Sequence, residues 1–159
     1  MIVISACKTD IPAWCELARA FEPLFGAAMA DDEGFRQIIQ RKIDQGLAFC
    51  IRENDGPPGA ALCGGLLFST RRHPIYQIGW LAVAEKWRRF GVGRALVRHA
   101  CGLVTPPAEV IVTSFTAETP GGEAARRFYE SLGFAPAELL PGEGPNEETR
   151  QRYRKIIDS

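Results

Sequence analysis

The sequence feature with the clearest chemistry is a basic, glycine-rich segment at residues 88–95, between a strand-like run and a helix-like run. A strand, a glycine turn and a helix in this order bring several backbone N–H groups and the positive end of a helix dipole together. The glycines permit positive φ and a close approach to the main chain, and the arginines supply cations for phosphate oxygens. We therefore predict an anion cradle suited to a pyrophosphate, built on Arg88, Arg89, Gly91, Gly93 and Arg94.

Two other glycine-rich anion loops do not fit this segment. A dinucleotide fingerprint G-x-G-x-x-G needs a third glycine where Leu96 stands, and no G-x-x-x-x-G-K-[ST] phosphate loop occurs in the chain. The remaining pattern, Arg-x-x-Gly-x-Gly at 88–93, resembles the acetyl-CoA-binding signature of the GNAT superfamily of N-acetyltransferases. The alternative is a helix-capping glycine turn whose arginines are merely solvated.

A second segment, at residues 124–134, is similar to the last helix of that superfamily. Its apolar residues recur at helical spacing, and Gly133 stands where a left-handed C-terminal residue is expected. The resemblance implies that Tyr129 protonates or hydrogen-bonds the departing CoA sulfur. A half-buried aromatic residue with a surface hydroxyl is the alternative. The superfamily often carries Asn where Gly122 stands here, so the pantetheine contact from that side departs from the pattern.

Acyl transfer to an amine requires a neutral amine, whereas an alkyl ammonium keeps its proton at pH 7, so a general base is expected. Glu118 is the candidate base because it follows a predicted strand and precedes the helix of Tyr129; a solvated loop carboxylate is the alternative. The resemblance implies backbone hydrogen bonds to pantetheine, and no metal is expected. The expected cofactor-binding residues are Leu81, Ala82, Val83, Arg88, Arg89, Phe90, Gly91, Val92, Gly93 and Arg94.

The elements that must position these residues alternate along the chain without a repeat. Apolar runs at 47–52 and 60–69 flank turn residues and predict a β-hairpin, and Gly64 and Gly65 predict a bulge or a close approach. Further strands are predicted at 2–5, 75–83, 109–115, after 134 and at the C-terminal end, with helices from 10, at 35–43, from 92 to 104 and around 129.

This order is similar to the GNAT fold over nearly the full length. We expect one domain, 1–159, of α/β (α+β) class. The resemblance implies a mixed, mostly antiparallel twisted sheet of about six to seven strands, splayed at the cofactor site, with about four helices.

Several local features complete the predicted framework. Asp10 is expected to cap the first helix, which would carry Phe21 and Leu24 on its apolar side. Leu103 should continue the apolar stripe of the helix that begins at Val92. The basic residues of the last strand are expected to form a solvated face; they are Arg150, Arg152, Arg154 and Lys155.

Composition bounds the class of protein. The chain has 159 residues, 46% hydrophobic and 24% charged, with 19 basic and 19 acidic side chains. These values are typical of globular proteins, and the balanced charge argues against a nucleic-acid partner. Five cysteines without a C-x-x-C pair disfavour a disulfide framework or a zinc site. No apolar run suits a membrane span, so cytoplasmic location is expected, and the fold is compatible with a homodimer.

Three function classes follow from these observations. The first is an N-acetyltransferase that uses acetyl-CoA as acyl donor and a primary amine of a small molecule or peptide as acceptor, by direct attack in a ternary complex. The second is a non-catalytic acyl-CoA-binding or regulatory module. The third is a doubly wound nucleotide-binding domain, which the missing third glycine disfavours. The acceptor surface would come from residues 21–45, 71–74 and 141–148, and the length of the acyl group stays open.

Overall fold

The computed structural model describes residues 1–20, 32–144 and 147–158. The chain divides into two compact units, one of Met1–Phe68 with Trp80–Leu103, and one of Ser69–Gly79 with Val104–Ser159. Seven strands are described: β1 Ile4–Ser5, β2 Ala48–Arg52, β3 Leu62–Arg72, β4 Ile75–Val83, β5 Ala108–Phe115, β6 Ala135–Leu140 and β7 Arg150–Ile157. Their order in the sheet is β1-β2-β3-β4-β5-β7-β6.

Four α-helices lie in the described ranges: α1 Ile11–Arg19, α2 Glu33–Asp44, α3 Val92–Cys101 and α4 Gly122–Ser131. Strands β4 and β5 pair in parallel, whereas the β1–β2, β2–β3, β5–β7 and β6–β7 pairs are antiparallel. The sheet is therefore mixed and mostly antiparallel, as the sequence predicts. None of the helices described here has the length and apolar character needed to cross a membrane.

The β2–β3 hairpin organises the first unit, and it confirms both expectations for its glycine pair. Ile51 pairs with Gly64 but Arg52 pairs with Leu62, so the register shifts at this point. A Cβ on Gly65 would lie 2.8 Å from the indole ring of Trp14, closer than real contacts allow. The hairpin needs glycine here because the helix α1 rests its largest side chain directly on the β3 backbone.

The core of the first unit is built by α1 and α2 against β2 and β3. Trp14, Ile39 and Cys50 are fully buried, and the ring of Trp80 packs against those of Trp14 and Phe35 at centroid distances of 5.9 and 5.7 Å. This aromatic packing contributes apolar burial that holds both helices on the sheet.

Asp10 has a different role from the predicted one. It does occupy the N-cap position of α1, but its side chain makes no capping hydrogen bond. Its fully buried carboxylate instead accepts hydrogen bonds from Arg52 Nε at 2.9 Å and Nη2 at 2.8 Å. It also accepts from the backbone N–H groups of Cys7 and Gly59. Burial alone would raise the pKa of Asp10, but these donors lower it to about 2.

The second unit contains the parallel pair and the C-terminal hairpin. Residues Ile75 to Ile78 of β4 pair with Glu109 to Val112 of β5, and β7 pairs with the whole of β5, from Ala108 with Ile157 to Phe115 with Arg150. This register places the buried Tyr153 of β7 opposite Val112.

The expectation of a solvated basic face on β7 is wrong. The guanidinium of Arg150 is buried, lies 4.5 Å from the ring centroid of Phe115 and pairs with Glu148 at 2.9 Å. Arg152 and Arg154 form ion pairs with acidic residues of β5 and β6, and Lys155 Nζ donates to the carbonyl of Leu132. The cross-strand neighbours of β7 supply acidic partners that its own alternation does not reveal.

One helix boundary also differs from the prediction, and part of another helix prediction falls outside the described residues. Helix α1 ends at Arg19, and Phe21 and Leu24 lie outside the described residues. Helix α3 ends at Cys101, where Gly102 is the C-cap residue, so Leu103 is exposed and does not extend the apolar stripe. The first strand is shorter than expected, and β4 has the predicted bounds.

Candidate functional site

The predicted anion cradle lies in the first unit, at the end of β4 and the beginning of α3. The backbone N–H of Ala84 donates to the carbonyl of Cys63 at 2.8 Å, which ties the end of β4 to β3. A short 3-10 turn, Glu85–Trp87, follows and is closed by the N–H of Trp87 donating to Ala84 at 2.9 Å. The chain therefore leaves the strand along a fixed path.

Two residues of the cradle have left-handed backbone conformations. Arg89 has a φ of 70° and Gly91 a φ of 80°. Glycine adopts this conformation without cost, whereas a residue with a Cβ does so at about 1–2 kcal/mol. Such reversals turn successive N–H groups toward one side and create concave anion sites. Residues 88–93 therefore contain two of the backbone reversals from which such sites are built.

Helix α3 begins immediately after this turn. The first bond of the helical ladder runs from the N–H of Ala95 to the carbonyl of Gly91 at 3.0 Å. The N–H groups of Val92 and Gly93 therefore have no acceptor within the helix, and the helix dipole adds positive potential there. Both residues are buried, while the cationic side chains around them are exposed: Arg88, Arg89 and Arg94.

The predicted pantetheine strand and the cradle meet at one glycine of β3. A Cβ on Gly64 would lie 2.7 Å from Val92 Cγ1 and 2.9 Å from the carbonyl oxygen of Ala82. Ala82 is buried, and Leu81 and Val83 on either side of it are partly exposed. Gly64 thus lets both the end of β4 and the first turn of α3 approach the β3 backbone closely.

A carboxylate from the β2–β3 hairpin loop binds two residues that immediately precede the cradle. Glu53 Oε1 accepts a hydrogen bond from Trp87 Nε1 at 2.9 Å and forms an ion pair with Lys86 at 2.8 Å. The hydrogen bonds from Lys86 and Trp87 lower the pKa of Glu53. Glu53 has no local sequence signal, because its partners are more than thirty residues away along the chain.

The expected catalytic residues Tyr129 and Glu118 belong to the second unit. Tyr129 is buried and its ring stacks on Tyr153 with centroids 5.3 Å apart. Its other ring neighbours are Phe128 at 5.0 Å and Phe134 at 5.6 Å. Burial, with a smaller contribution from Tyr153, raises the pKa of Tyr129 well above its ordinary value. Its hydroxyl therefore keeps its proton at physiological pH and is available only as a donor or a neutral acceptor.

The helix of Tyr129 ends as the sequence predicts. Gly133 has a φ of 91°, and the N–H of Phe134 donates to the carbonyl of Tyr129 at 3.0 Å. This left-handed ending caps α4 and folds Phe134 back against the ring of Tyr129.

Glu118 lies on the exposed loop between β5 and α4. The loop is closed by a hydrogen bond between the hydroxyls of Thr116 and Thr119 at 2.9 Å. Hydrogen bonding and charge from Glu130, with a smaller effect from Glu118, raise the pKa of Arg126. A Cβ on Gly122 would collide with the carbonyl oxygen of Thr116. The loop is therefore too tight for any side chain at this position, which explains why glycine stands there.

Metal ligands do not cluster in the parts of the chain described: no group of three or more His, Cys, Asp or Glu residues is arranged to hold an ion. Anion binding at 88–93 and proton donation at Tyr129 stay predictions that this arrangement of groups permits.

Comparison with known proteins places the chain in a family. A model of the acetyltransferase (GNAT) domain matches residues 44–136, more than half of the chain. A search of proteins with curated functions gives no match. Among solved structures, Ard1 from Thermoplasma volcanium superposes with a TM-score of 0.76 at 18% identity, covering 99% of this chain and 98% of that one.

Two further structures have the same fold. The ribosomal-protein-alanine N-acetyltransferase from Brucella melitensis has a TM-score of 0.74 at 16% identity, over 99% of this chain and 100% of that one. Naa50 from Arabidopsis thaliana, in complex with the bisubstrate analogue CoA-Ac-MVNAL, has a TM-score of 0.70 at 13% identity, over 98% of each chain. The family match and the shared fold agree with the cradle geometry: the chain belongs to the GNAT acetyltransferase family.

Proposed function

We propose that this protein is an N-acetyltransferase that moves the acetyl group of acetyl-CoA to a primary amine of a small molecule or peptide, by direct attack in a ternary complex. The observation that carries the proposal is the cradle at 88–93. Its left-handed residues, the helix N-terminus and three exposed arginines form a site for the pyrophosphate of the donor.

The residues of the cradle have distinct roles in this proposal. The N–H groups of Val92 and Gly93 bind phosphate oxygens, and Gly91 admits them without a Cβ in the way. Arg88, Arg89 and Arg94 neutralise the phosphate charge, and the backbone of Phe90 completes the turn. The backbone of Leu81, Ala82 and Val83 binds the pantetheine arm by hydrogen bonds.

Three further steps of the reaction are assigned to groups of this protein. Glu118 accepts a proton from the acceptor ammonium, which frees the amine lone pair for attack on the thioester carbonyl. A main-chain N–H near Leu81 to Val83 holds the oxyanion of the tetrahedral intermediate. When the carbon–sulfur bond breaks, Tyr129 donates its proton to the departing thiolate, and its raised pKa keeps that proton in place until then.

A peptide amine is a reasonable acceptor on the basis of the structural relatives. The Arabidopsis protein is solved with an analogue that joins CoA to a short peptide, and the Brucella protein is a ribosomal-protein-alanine N-acetyltransferase. We therefore include both peptide α-amines and small amines in the test below. Cytoplasmic location and formation of a homodimer stay predictions.

The first experiment is a calorimetric titration of the purified protein with acetyl-CoA, with NAD and ATP as controls. We expect selective binding of acetyl-CoA. Gly91→Val should abolish that binding, because it introduces a branched side chain at a φ of 80° on the cradle. Gly46→Val is the matched control, since Gly46 has a φ of 72° and equally open surroundings but lies outside the cradle, at the end of α2.

The second step measures release of the CoA thiol with a panel of small amines and short peptides. Binding of acetyl-CoA followed by transfer supports the enzyme. Selective binding without transfer to any acceptor would favour the acyl-CoA-binding module. A preference for NAD or ATP, or equal loss in both valine variants, would contradict the role given to residues 88–93.

A further inference from the structure

Two aromatic side chains stand beside the arginines of the cradle, and pyrophosphate binding does not require them. Phe90 is 62% exposed, the highest exposure of any large hydrophobic residue in the described parts of the chain. Its ring lies 5.6 Å from that of Trp87 in an edge-to-face arrangement. An exposed aromatic ring in a predicted ligand-binding turn is expected where the bound ligand covers that ring.

The Trp87 side chain of the pair is positioned by a hydrogen bond within the protein. Trp87 Nε1 donates to Glu53 at 2.9 Å, and Glu53 is itself held by Lys86 and by its backbone N–H, which donates to Ala61 at 2.8 Å. Phe90 lies between two residues with left-handed backbone, Arg89 and Gly91. The hydrogen bond of Trp87 limits the side-chain entropy that this ring would lose on binding, which favours affinity.

We propose that Phe90 and Trp87 form an aromatic platform that binds the adenine ring of acetyl-CoA by stacking. The inference rests on the proposed function, because it needs the pyrophosphate in the cradle. Adenine is separated from that pyrophosphate by one ribose, so the platform next to the cradle is within its reach. Every base offers a π face to an aromatic side chain, and the neighbouring arginines suit the 3′-phosphate of the same nucleoside.

A protein partner explains the platform less well. A stable protein interface covers about 800 Å² on each partner and is depleted of charge at its centre. The platform consists of two rings and is bordered by Lys86, Arg88 and Arg89, two of them cradle cations. Its size and charge match one phosphorylated nucleoside.

The test compares two ligands that share the pantetheine side: CoA and 4′-phosphopantetheine, which lacks the adenosine 3′,5′-bisphosphate part. The dissociation constant of 4′-phosphopantetheine divided by that of CoA reports what the adenosine bisphosphate part contributes, and a variant that lowers this ratio has lost part of that contribution. We expect Phe90→Ala to lower this ratio about 5- to 100-fold, the range for loss of one base stack, and Phe90→Tyr to leave it near the wild-type value. Glu53→Gln should lower it less, because it loosens Trp87 but keeps both rings.

Leu139→Ala is the control, since Leu139 is 59% exposed and lies in β6 of the second unit. Phe90 is on the surface, so its replacement leaves the core intact, and thermal unfolding verifies this. An unchanged ratio in Phe90→Ala, or an equal change in Phe90→Tyr, would overturn the platform while leaving the cradle in place. If wild-type protein binds neither ligand, the proposed function fails together with this inference.

Discussion

The cradle is formed by consecutive residues, whereas the surroundings of Tyr129 are formed by residues from separate parts of the chain. The cradle is a continuous stretch of chain with two left-handed residues and exposed cations, immediately before helix α3. Tyr129 is buried, and two of the rings around it, Tyr153 and Phe134, come from elements other than its own helix. The cradle can therefore be recognised from a few adjacent residues, whereas the environment of Tyr129 exists only after folding.

The difference has a consequence for how each region fails. If the cradle binds the donor as proposed, a substitution there should change the affinity for acetyl-CoA. A substitution at Tyr129 that keeps the ring should leave binding alone and change the chemical step. The contrast can be tested at Tyr129, at the buried Asp10–Arg52 pair and at Arg89.

Tyr129→Phe should lower kcat about 100- to 10,000-fold, the usual contribution of a positioned proton donor. The phenyl ring retains the stacking on Tyr153, so folding and the dissociation constant for CoA should stay close to wild type. Steady-state kinetics combined with calorimetry separates the two quantities.

Tyr153→Phe is the matched control for this prediction. Tyr153 is equally buried, belongs to the same stack and is given no role in proton transfer, so its variant should keep kcat. A loss of kcat in both variants, or a parallel loss of kcat and CoA affinity in Tyr129→Phe, would show that packing and not the hydroxyl is responsible.

The second prediction concerns the ion pair between Asp10 and Arg52 in the first unit. Asp10→Asn leaves the guanidinium of Arg52 buried without its counter-ion and should cost about 3 kcal/mol of unfolding free energy at neutral pH. The pKa of Asp10 is lowered from 3.8 to about 2 in the folded state. Its stabilising effect is therefore complete above pH 4 and disappears as the pH falls toward 2, by about 2 kcal/mol.

Denaturant unfolding of wild type and Asp10→Asn from pH 7 to pH 2 measures this difference. The gap in unfolding free energy should narrow through the acid range. Asp55→Asn removes an exposed carboxylate that pairs with the terminal ammonium, and it should change stability little at any pH. A gap of constant size across the range would mean that the Asp10 charge does not stabilise the fold.

The sequence predicted most elements because their signals are local. The bounds of β4, the β2–β3 hairpin and the left-handed end of α4 at Gly133 each depend on a few adjacent residues. The resemblance to the GNAT family correctly indicated the mixed sheet, and four helices lie in the described residues, as it implies. The residue types that make glycine turns and alternating strands are the same in any context.

What the sequence could not predict depends on partners far along the chain. Asp10 was expected to cap a helix, but Arg52, forty-two residues away, binds its carboxylate. The arginines of β7 were expected to be solvated, but Glu109 and Glu138 on neighbouring strands pair with them. The roles of Tyr129 and Glu118 stay predictions, since a proton donor and a base are defined by the substrate that they meet.

The third prediction has the smallest effect and separates backbone from side chain within the cradle. Arg89 is the non-glycine residue of the turn with a left-handed φ. Arg89→Gly and Arg89→Ala both remove the guanidinium, so both should bind acetyl-CoA more weakly than wild type. Only glycine relieves the left-handed strain. The free energy of unfolding of the glycine variant should therefore be about 1 kcal/mol higher than that of the alanine variant. Chemical denaturation and calorimetry on the same samples give both quantities. Equal stability of the two variants would mean that the turn relaxes when the arginine is lost. In that case the left-handed conformation at residue 89 is maintained by the arginine side chain. The backbone of the cradle would then depend on one exposed side chain, whereas the position of Tyr129 depends on the packing of several buried rings.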